Sequence, residues 1–330
     1  MKQFQLLFLV ICFSCNSQHQ KINGVSFVAS KDSITSEHVQ PVLNVHSNYV
    51  ALMPFGFLQE LNSPIVLFNT HRQWFGETQK GLLQYAKKFQ EEKVGIMVKP
   101  QIWVWRGVFT GDINMDSEEQ WTFFENSYSD FILTYAKTAQ DMGAEILCIG
   151  TELEQFVLTR PVYWKRLIKD IRRIYKGKLT YAANWNEYLE VSFWSELDYI
   201  GIDAYFPLSE EKSPSILDFE KGWEPHKKDI LELQQRVKKP ILFTEFGYRS
   251  VNYNGKKPWD SRRVEGAVNF EAQSNGLQAV YNQFWNEDWF AGGFIWKWFH
   301  VNDAAGAENN NRFTPQNKPA EDVIKKTYKQ

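Results

Sequence analysis

From residue 22 onward the chain alternates between short apolar blocks and longer segments in which apolar residues recur periodically. Eight of the short blocks are almost continuously apolar, which is typical of strands covered on both faces in a parallel sheet. The predicted strands cover residues 22–28, 48–56, 94–104, 144–152, 179–186, 199–206, 240–246 and 291–298.

The segments between these strands have the period of amphipathic helices. In "RPVYWKRLIKDIRRIYKG" the apolar residues recur at steps of three and four, Pro161 fits a first turn and Gly177 fits the end of a helix. The stretch "GLQAVYNQFW" has the same spacing. Eight strand–helix units in sequence predict an α/β fold, a (β/α)8 TIM barrel that forms a single domain over residues 22–330. The long connections 57–77 and 299–318 are expected at its C-terminal mouth, where such barrels place their sites.

The first residues have a different character. In "MKQFQLLFLVICFSCNSQ" one basic residue, Lys2, precedes an apolar run that is too short for a stable membrane anchor. Residues 1–15 are therefore predicted to be a secretion signal. The Ser14-Cys15 pair resembles a bacterial lipoprotein signal, so we expect a secreted or cell-envelope protein that meets the membrane only through a lipid on Cys15. Ordinary cleavage near the same place is the alternative.

The amino-acid composition indicates which classes of binding partner are favoured. The net charge is −2, which gives no electrostatic reason to expect a nucleic acid, and neutral substrates fit better. The 13 Trp, 14 Tyr and 25 Phe exceed what a core of this size needs, and flat rings with polar rims suit the faces of sugars or bases. After processing only Cys148 would remain as a free thiol, so no intrachain disulfide is expected, and its apolar context predicts a buried, inert thiol.

Two glutamates end predicted strands in the same way. Glu152 and Glu245 each follow a threonine at the end of an apolar run, and the interval between them fits three strand–helix units. Either glutamate alone would also fit a solvated or ion-paired role. If they end the fourth and seventh strands, they are expected to project into one pocket from opposite walls, as glycoside hydrolysis requires of its acid and its second carboxylate.

Several motifs occur in an order that resembles glycoside hydrolase family 113: "VGIMVKPQIWVW", "GTELEQF", "YIGIDAYFPL", "PILFTEFGYRS" and "GGFIWKWF". Members of this family are (β/α)8 endo-β-1,4-mannanases of the large retaining clan A. The resemblance implies that Glu152 is the acid/base and Glu245 the nucleophile. Thr151 stands where clan A at large has asparagine, and Gln101 stands where the family leads us to expect histidine.

Further candidates for substrate binding follow from their positions near strand ends. Tyr205, close to Asp203, can hydrogen-bond the nucleophile or belong to the core. Arg72 lies in the long second connection and is either a substrate contact or an ordinary exposed arginine. The remaining candidates are polar groups for sugar hydroxyls and rings for sugar faces: Lys99, Trp103, Trp105, Asn184, Trp296 and Trp298.

The sequence gives little support for other classes of catalysis or ligand binding. The sequence has no glycine-rich phosphate loop, no HExxH pair, no GxSxG elbow and no CxxC pair beyond the predicted signal, and its histidines are scattered. We therefore predict no cofactor and no metal. The function predicted is retaining hydrolysis of β-1,4-mannosidic bonds in β-mannan or related oligosaccharides. The alternatives are a clan A hydrolase of another β-glycan, an exo-acting β-mannosidase, and a surface carbohydrate-binding protein without turnover.

Overall fold

The computed structural model describes residues 20–261 and 266–329. Its strands are β1 (Ile22–Phe27), β2 (Tyr49–Leu52), β3 (Phe55–Leu58), β4 (Gly95–Val98), β5 (Gln101–Val104), β6 (Ile146–Thr151), β7 (Lys178–Asn184), β8 (Ile200–Asp203), β9 (Ile241–Phe246) and β10 (Phe290–Trp298). Its helices are α1 (Ser36–Asn44), α2 (Gln79–Glu91), α3 (Glu118–Asp141), α4 (Glu154–Thr159), α5 (Pro161–Ile174), α6 (Ile216–Val237), α7 (Phe270–Phe284) and α8 (Pro319–Tyr328).

Eight of the described strands form a closed parallel barrel in the order β1, β2, β4, β6, β7, β8, β9, β10 and back to β1. Helices connect most successive barrel strands, although the connection from β7 to β8 has only the short 3-10 helix Trp194–Glu196. The predicted (β/α)8 TIM barrel is confirmed. Helix α5 begins at Pro161, as its sequence indicates, because a proline in the first turn has no hydrogen bond to lose.

Two of the predicted strands differ from the structure. The stretches 48–56 and 94–104 each divide at a proline into a barrel strand and a second strand, and β3 and β5 pair with each other in a separate two-stranded sheet. Pro54 and Pro100 have no N–H to donate to a sheet, so a continuous ladder cannot pass through them. The result is a short extension of the barrel wall beyond β2 and β4.

The core has two layers. A large cluster of buried side chains lies between the strands and the surrounding helices. A smaller cluster, contributed by the barrel strands, fills the barrel interior: Ile22, Ala51, Met97, Ile146, Cys148, Ala182, Leu242 and Phe294. Cys148 is a free buried cysteine, and burial raises the pKa of its thiol to about 11, so it stays protonated as an inert apolar group.

The predicted signal at residues 1–15, with Cys15, lies outside the described residues. In the ranges that are described, no helix combines the length and apolar character that crossing a bilayer would need.

Candidate active site

A cavity of about 700 Å³ opens where the barrel strands end. The structure brings seven of the residues predicted from the sequence to its wall: Arg72, Trp103, Glu152, Asn184, Tyr205, Glu245 and Trp296. The two long connections contribute as well, since Trp74 and Phe313 line the same space. Glu152 follows β6 and Glu245 lies in β9, which are the fourth and seventh barrel strands.

Glu245 accepts hydrogen bonds from three side chains, two in the stretch after β4 and one just after β8. Its Oε1 accepts hydrogen bonds from Nζ of Lys99 and from Nε2 of Gln101, the latter at 3.1 Å. Its Oε2 accepts from the hydroxyl of Tyr205 at 2.8 Å. The side chain is nearly buried, and three donors fix its carboxylate in one orientation while matching a negative charge.

Lys99 and Asp203 lie beneath Glu245 and do not line the cavity. Nζ of Lys99 is 3.2 Å from each carboxylate oxygen of Asp203, and both side chains are fully buried. Burial opposes the charged form of Lys99, but the charges of Asp203 and Glu245 outweigh this effect and raise its pKa. The prediction that Lys99 and Asp203 bind substrate is therefore corrected: their polar atoms are engaged with each other and with Glu245.

Asp203 also accepts a hydrogen bond from Oγ1 of Thr244 at 2.7 Å. Burial and the neighbouring charge of Glu245 raise the pKa of Asp203 to about 7, although Lys99 acts in the opposite direction. The single ammonium group of Lys99 thus faces two carboxyl groups, those of Asp203 and Glu245.

Glu152 has different surroundings. Among the described residues its carboxyl group has no hydrogen-bonding partner, in contrast to the three donors around Glu245. Burial, followed by the charges of Asp203 and Glu245, raises the pKa of Glu152 well above its usual range. Two carboxyl groups on one cavity therefore have opposite environments, one suited to holding a proton and the other to holding a charge.

The tryptophans at the strand ends divide between the cavity and other surroundings. Trp296 lines the cavity, whereas Trp298 is fully buried in the core. A regular strand would place both on one face, but the register between β1 and β10 shifts between Ile295 and Trp298, as in a bulge. The prediction that Trp298 forms part of the sugar-binding floor is corrected for this reason.

Trp103 and Trp105 also separate. Trp103 lines the cavity, whereas Trp105 is 67% exposed and lies outside the lining. Strand β5 ends at Val104, and a 3-10 turn over Trp105–Gly107, with Arg106 at φ 66°, takes Trp105 out of the strand's alternation. The predicted substrate contact of Trp105 is corrected accordingly.

The β3–β5 extension forms an aromatic wall along one side of the cavity. Phe57 is paired in register with Trp103, Phe55 is paired with Gln101, and all four side chains line the cavity. Leu58 and Val104, on the same strands, are buried. The extension therefore lengthens the binding surface beyond the barrel itself.

The other two predicted contacts lie on the rim. Arg72 is exposed and lines the cavity from the second connection. Asn184 is nearly buried, and its Oδ1 accepts a hydrogen bond from the backbone N–H of Trp185 at 2.8 Å, which leaves its amide nitrogen for the cavity. Trp185 in turn stacks on Trp259, with ring centroids 5.0 Å apart.

Sequence reasoning missed three residues near the site. Trp259 lines the cavity from the connection after β9, a polar segment with no pattern that marks it. Glu187 looks like a loop residue in the sequence but is only 1% exposed, and Tyr181 is fully buried against it. The available signal was the acidic residue three positions after Asn184, in the turn that closes β7.

A (β/α)8 barrel with two carboxyl groups of opposite environment at its mouth is an architecture found among glycoside hydrolases. The chain matches the profile of Glycoside Hydrolase Family 113 over residues 27–318, which is most of its length. It therefore belongs to glycoside hydrolase family 113 and is a glycoside hydrolase. No curated protein matches the chain significantly.

Three solved structures share the fold along nearly the whole chain. A complex of a family 113 β-1,4-mannanase is 22% identical, with a TM-score of 0.82, and the match covers 94% of this chain and 99% of that one. The family 113 β-mannanase AaManA from Alicyclobacillus acidocaldarius, in complex with ManMIm, is 24% identical with a TM-score of 0.81, covering 94% and 97%. A further family 113 β-1,4-mannanase is 23% identical with a TM-score of 0.80, covering 94% and 99%.

Within residues 20–261 and 266–329, histidine, cysteine and acidic side chains form no group of three or more that could hold a metal ion.

Proposed function

We propose that this protein hydrolyses β-1,4-mannosidic bonds with retention of anomeric configuration, with Glu245 as nucleophile and Glu152 as acid/base. The observation that carries the proposal is the contrast between the two carboxyl groups on one cavity. Glu245 accepts three hydrogen bonds, and Glu152 has a raised pKa. Retaining hydrolysis needs one ionised and one protonated carboxyl group at the start of each cycle.

In the first step, a carboxylate oxygen of Glu245 attacks the anomeric carbon and the bond to the leaving sugar breaks. The proton of Glu152 goes to the leaving oxygen, so the departing sugar is neutral. In the second step, Glu152, now ionised, takes a proton from a water molecule that attacks the same carbon, and Glu245 is released. Tyr205 and Gln101 hold Glu245 in position in the free enzyme.

The choice of mannan as substrate is supported by the family and by the three similar structures, each of which is a β-mannanase. The cavity adds support for an extended substrate. Its aromatic wall, with Phe57 and Trp103, continues along the β3–β5 extension beyond the strand ends that carry the two glutamates.

Purified protein incubated with mannan, glucomannan, xylan and cellulose, followed by sizing of the products, tests this function. We expect β-mannan to be cleaved to oligosaccharides of mixed length, and NMR of the first products to show the β-anomer. Release of mannose alone would identify an exo-acting enzyme, and cleavage of another glycan would change the substrate. Initial α-products would contradict retention, and binding without cleavage would indicate a carbohydrate-binding protein.

We further propose that the protein is a secreted or cell-envelope lipoprotein whose mature chain begins at a lipidated Cys15. The apolar segment from Phe4 to Phe13 and the Ser14-Cys15 pair support this proposal. The lipid would leave the barrel free to act on a polysaccharide at the membrane surface.

A further inference from the structure

The backbone of Glu152 has an unusual conformation. Its φ is 50°, in the left-handed region that a residue with a side chain adopts only at a cost in free energy. Neighbouring hydrogen bonds hold it there. The N–H of Glu152 donates to the carbonyl of Ala182 at 2.8 Å, and its own carbonyl accepts from Oγ1 of Thr110 at 3.2 Å. The direction of its side chain therefore depends on groups that belong to other elements.

A third hydrogen bond leads to a buried carboxyl group. The N–H of Leu153, the residue directly after Glu152, donates to the hydroxyl of Tyr181 at 2.7 Å. That hydroxyl donates in turn to Oε1 of Glu187 at 2.6 Å. Oε2 of Glu187 accepts a hydrogen bond from the N–H of Asn184 at 3.1 Å. One carboxyl group therefore supports both the backbone next to Glu152 and Asn184 on the cavity wall.

Glu187 has no ion-pair partner among the described residues, although it is almost completely buried. Burying a carboxyl group without an ion-pair partner costs free energy of folding. If the fold needed only a hydrogen-bond acceptor here, a glutamine amide would supply one. Glu187 lies close to Glu152, to which it is connected through Tyr181 and Leu153. A carboxyl group at position 187 can therefore act on Glu152, and an amide could not do so by its charge.

We propose that Glu187 and Tyr181 are positioning residues for Glu152: Tyr181 fixes the backbone that aims the acid, and the negative charge of Glu187 helps to keep that acid protonated. The inference rests on the proposed role of Glu152 as acid/base. Neither residue lines the cavity, so both act through Glu152 rather than on the substrate.

The electrostatics agree with this arrangement. Burial and the charges of Asp203 and Glu245 raise the pKa of Glu152, Lys99 lowers it, and Glu187 adds to the increase. Burial raises the pKa of Glu187 itself to about 7, while the hydrogen bonds from Tyr181 and Asn184 favour its ionised form.

The charges of Glu154 and Asp203 raise the pKa of Glu187 further. Glu187 therefore carries its negative charge above about pH 7, and that charge opposes the ionisation of Glu152.

Two variants and one control test the inference. Tyr181→Phe removes the hydroxyl between Leu153 and Glu187, and Glu187→Gln removes the charge while keeping the size of the side chain. Tyr175→Phe is the matched control, because its buried hydroxyl makes a comparable hydrogen bond, at 2.7 Å to the carbonyl of Ala144, just before β6 at the opposite end of the barrel.

Kinetics on two substrates separate positioning of the acid from general damage. Mannooligosaccharides need a proton on the leaving oxygen, whereas an aryl β-mannoside with an acidic phenol needs little acid help. We expect Tyr181→Phe to lower kcat/KM on the oligosaccharide about 10- to 100-fold and on the aryl substrate less than about 3-fold. Equal losses on both substrates, or no loss, would overturn the positioning role of Tyr181.

The carboxyl carbon of Glu152, followed by ¹³C NMR during a pH titration, tests the role of Glu187 without any need for activity. We expect Glu187→Gln to lower the pKa of Glu152 by about 0.5 units or more, and Tyr175→Phe to leave it unchanged. An unchanged titration in Glu187→Gln would overturn the electrostatic role. If the wild-type protein cleaves no β-mannoside, the proposed function fails, while this titration still decides the inference.

Discussion

The hydroxyl of Tyr205 donates a hydrogen bond of 2.8 Å to Oε2 of Glu245, on the opposite side of the carboxylate from Lys99. Burial, followed by the charge of Glu245, raises the pKa of Tyr205 well above its usual range. The hydroxyl therefore keeps its proton and remains a donor at neutral pH. Its position fixes one oxygen of the carboxylate that we propose as nucleophile.

Replacing Tyr205 with phenylalanine should lower kcat about 10- to 100-fold, because a hydrogen bond to a charged group is worth about 1.5–3 kcal/mol. The melting temperature should change little in comparison, and Tyr175→Phe should retain full activity. Steady-state kinetics and thermal unfolding of the two variants measure the difference. Wild-type kcat in a folded Tyr205→Phe protein would show that the contact has no part in the reaction.

Asp203 should make the stability of the protein depend on pH. Its pKa is raised to about 7 in the folded state, so the folded protein holds this proton more tightly than the unfolded chain does. The stabilisation is therefore fully present below the unfolded pKa, about 4, and is lost as the pH rises from there through about 7. We expect the free energy of unfolding to fall by roughly 2–4 kcal/mol between about pH 5 and pH 8.

Urea unfolding at the two pH values, with Asp203→Asn beside the wild type, measures this effect. The variant should show a clearly smaller fall, whatever its absolute stability. Glu187→Gln should also reduce the fall, because burial raises the pKa of Glu187 to about 7 as well. Parallel pH dependence in all three proteins would mean that these buried acids do not titrate in this range.

Trp103 and Trp105 offer a matched test of the aromatic wall. Both are exposed tryptophans two residues apart, but only Trp103 lines the cavity. Trp103→Ala should raise KM for long mannooligosaccharides about 3- to 10-fold and change KM for the shortest cleaved substrate little, since stacking on a ring contributes about 0.5–1.5 kcal/mol. Trp105→Ala should behave as the wild type. Equal effects of the two replacements would show that the aromatic wall does not contribute to substrate binding.

The barrel was predictable because its strands are apolar on both faces and its helices have a clear period. Glu152 and Glu245 were found in the same way, since each is an ionisable residue that ends an apolar run. Pro54 and Pro100 mark where the stretches 48–56 and 94–104 divide. The pattern of apolar residues does not show this division, because it takes no account of a missing backbone N–H.

Other features depend on contacts that the sequence does not display. Trp298 leaves the cavity because of a shift in strand register, and no local pattern predicts such a shift. Lys99 and Asp203 each look available in the sequence, yet the closed barrel brings the residue after β4 and the last residue of β8 together. Glu187 was hidden for the same reason, because its burial depends on a tyrosine in the preceding strand.

The lipid anchor can be tested directly on protein from membranes of a bacterial host. Intact mass and N-terminal peptide mapping should show a mature chain that starts at Cys15 and carries lipid, and Cys15→Ala should release the protein from the membrane fraction. A mature chain that begins at another residue and carries no lipid would contradict this prediction and indicate ordinary signal cleavage.

The central claim is that Glu245 forms the covalent bond and Glu152 supplies the proton, and trapping the intermediate tests it most directly. In Glu152→Ala, an aryl β-mannoside with a good leaving group should still react in the first step, whereas the second step, which needs a base, should be slow. The enzyme should therefore accumulate with the mass of one added mannosyl group, and peptide mapping should place that group on Glu245. A mannosyl group on any other residue, or turnover that gives the inverted anomer and no covalent intermediate, would contradict the account.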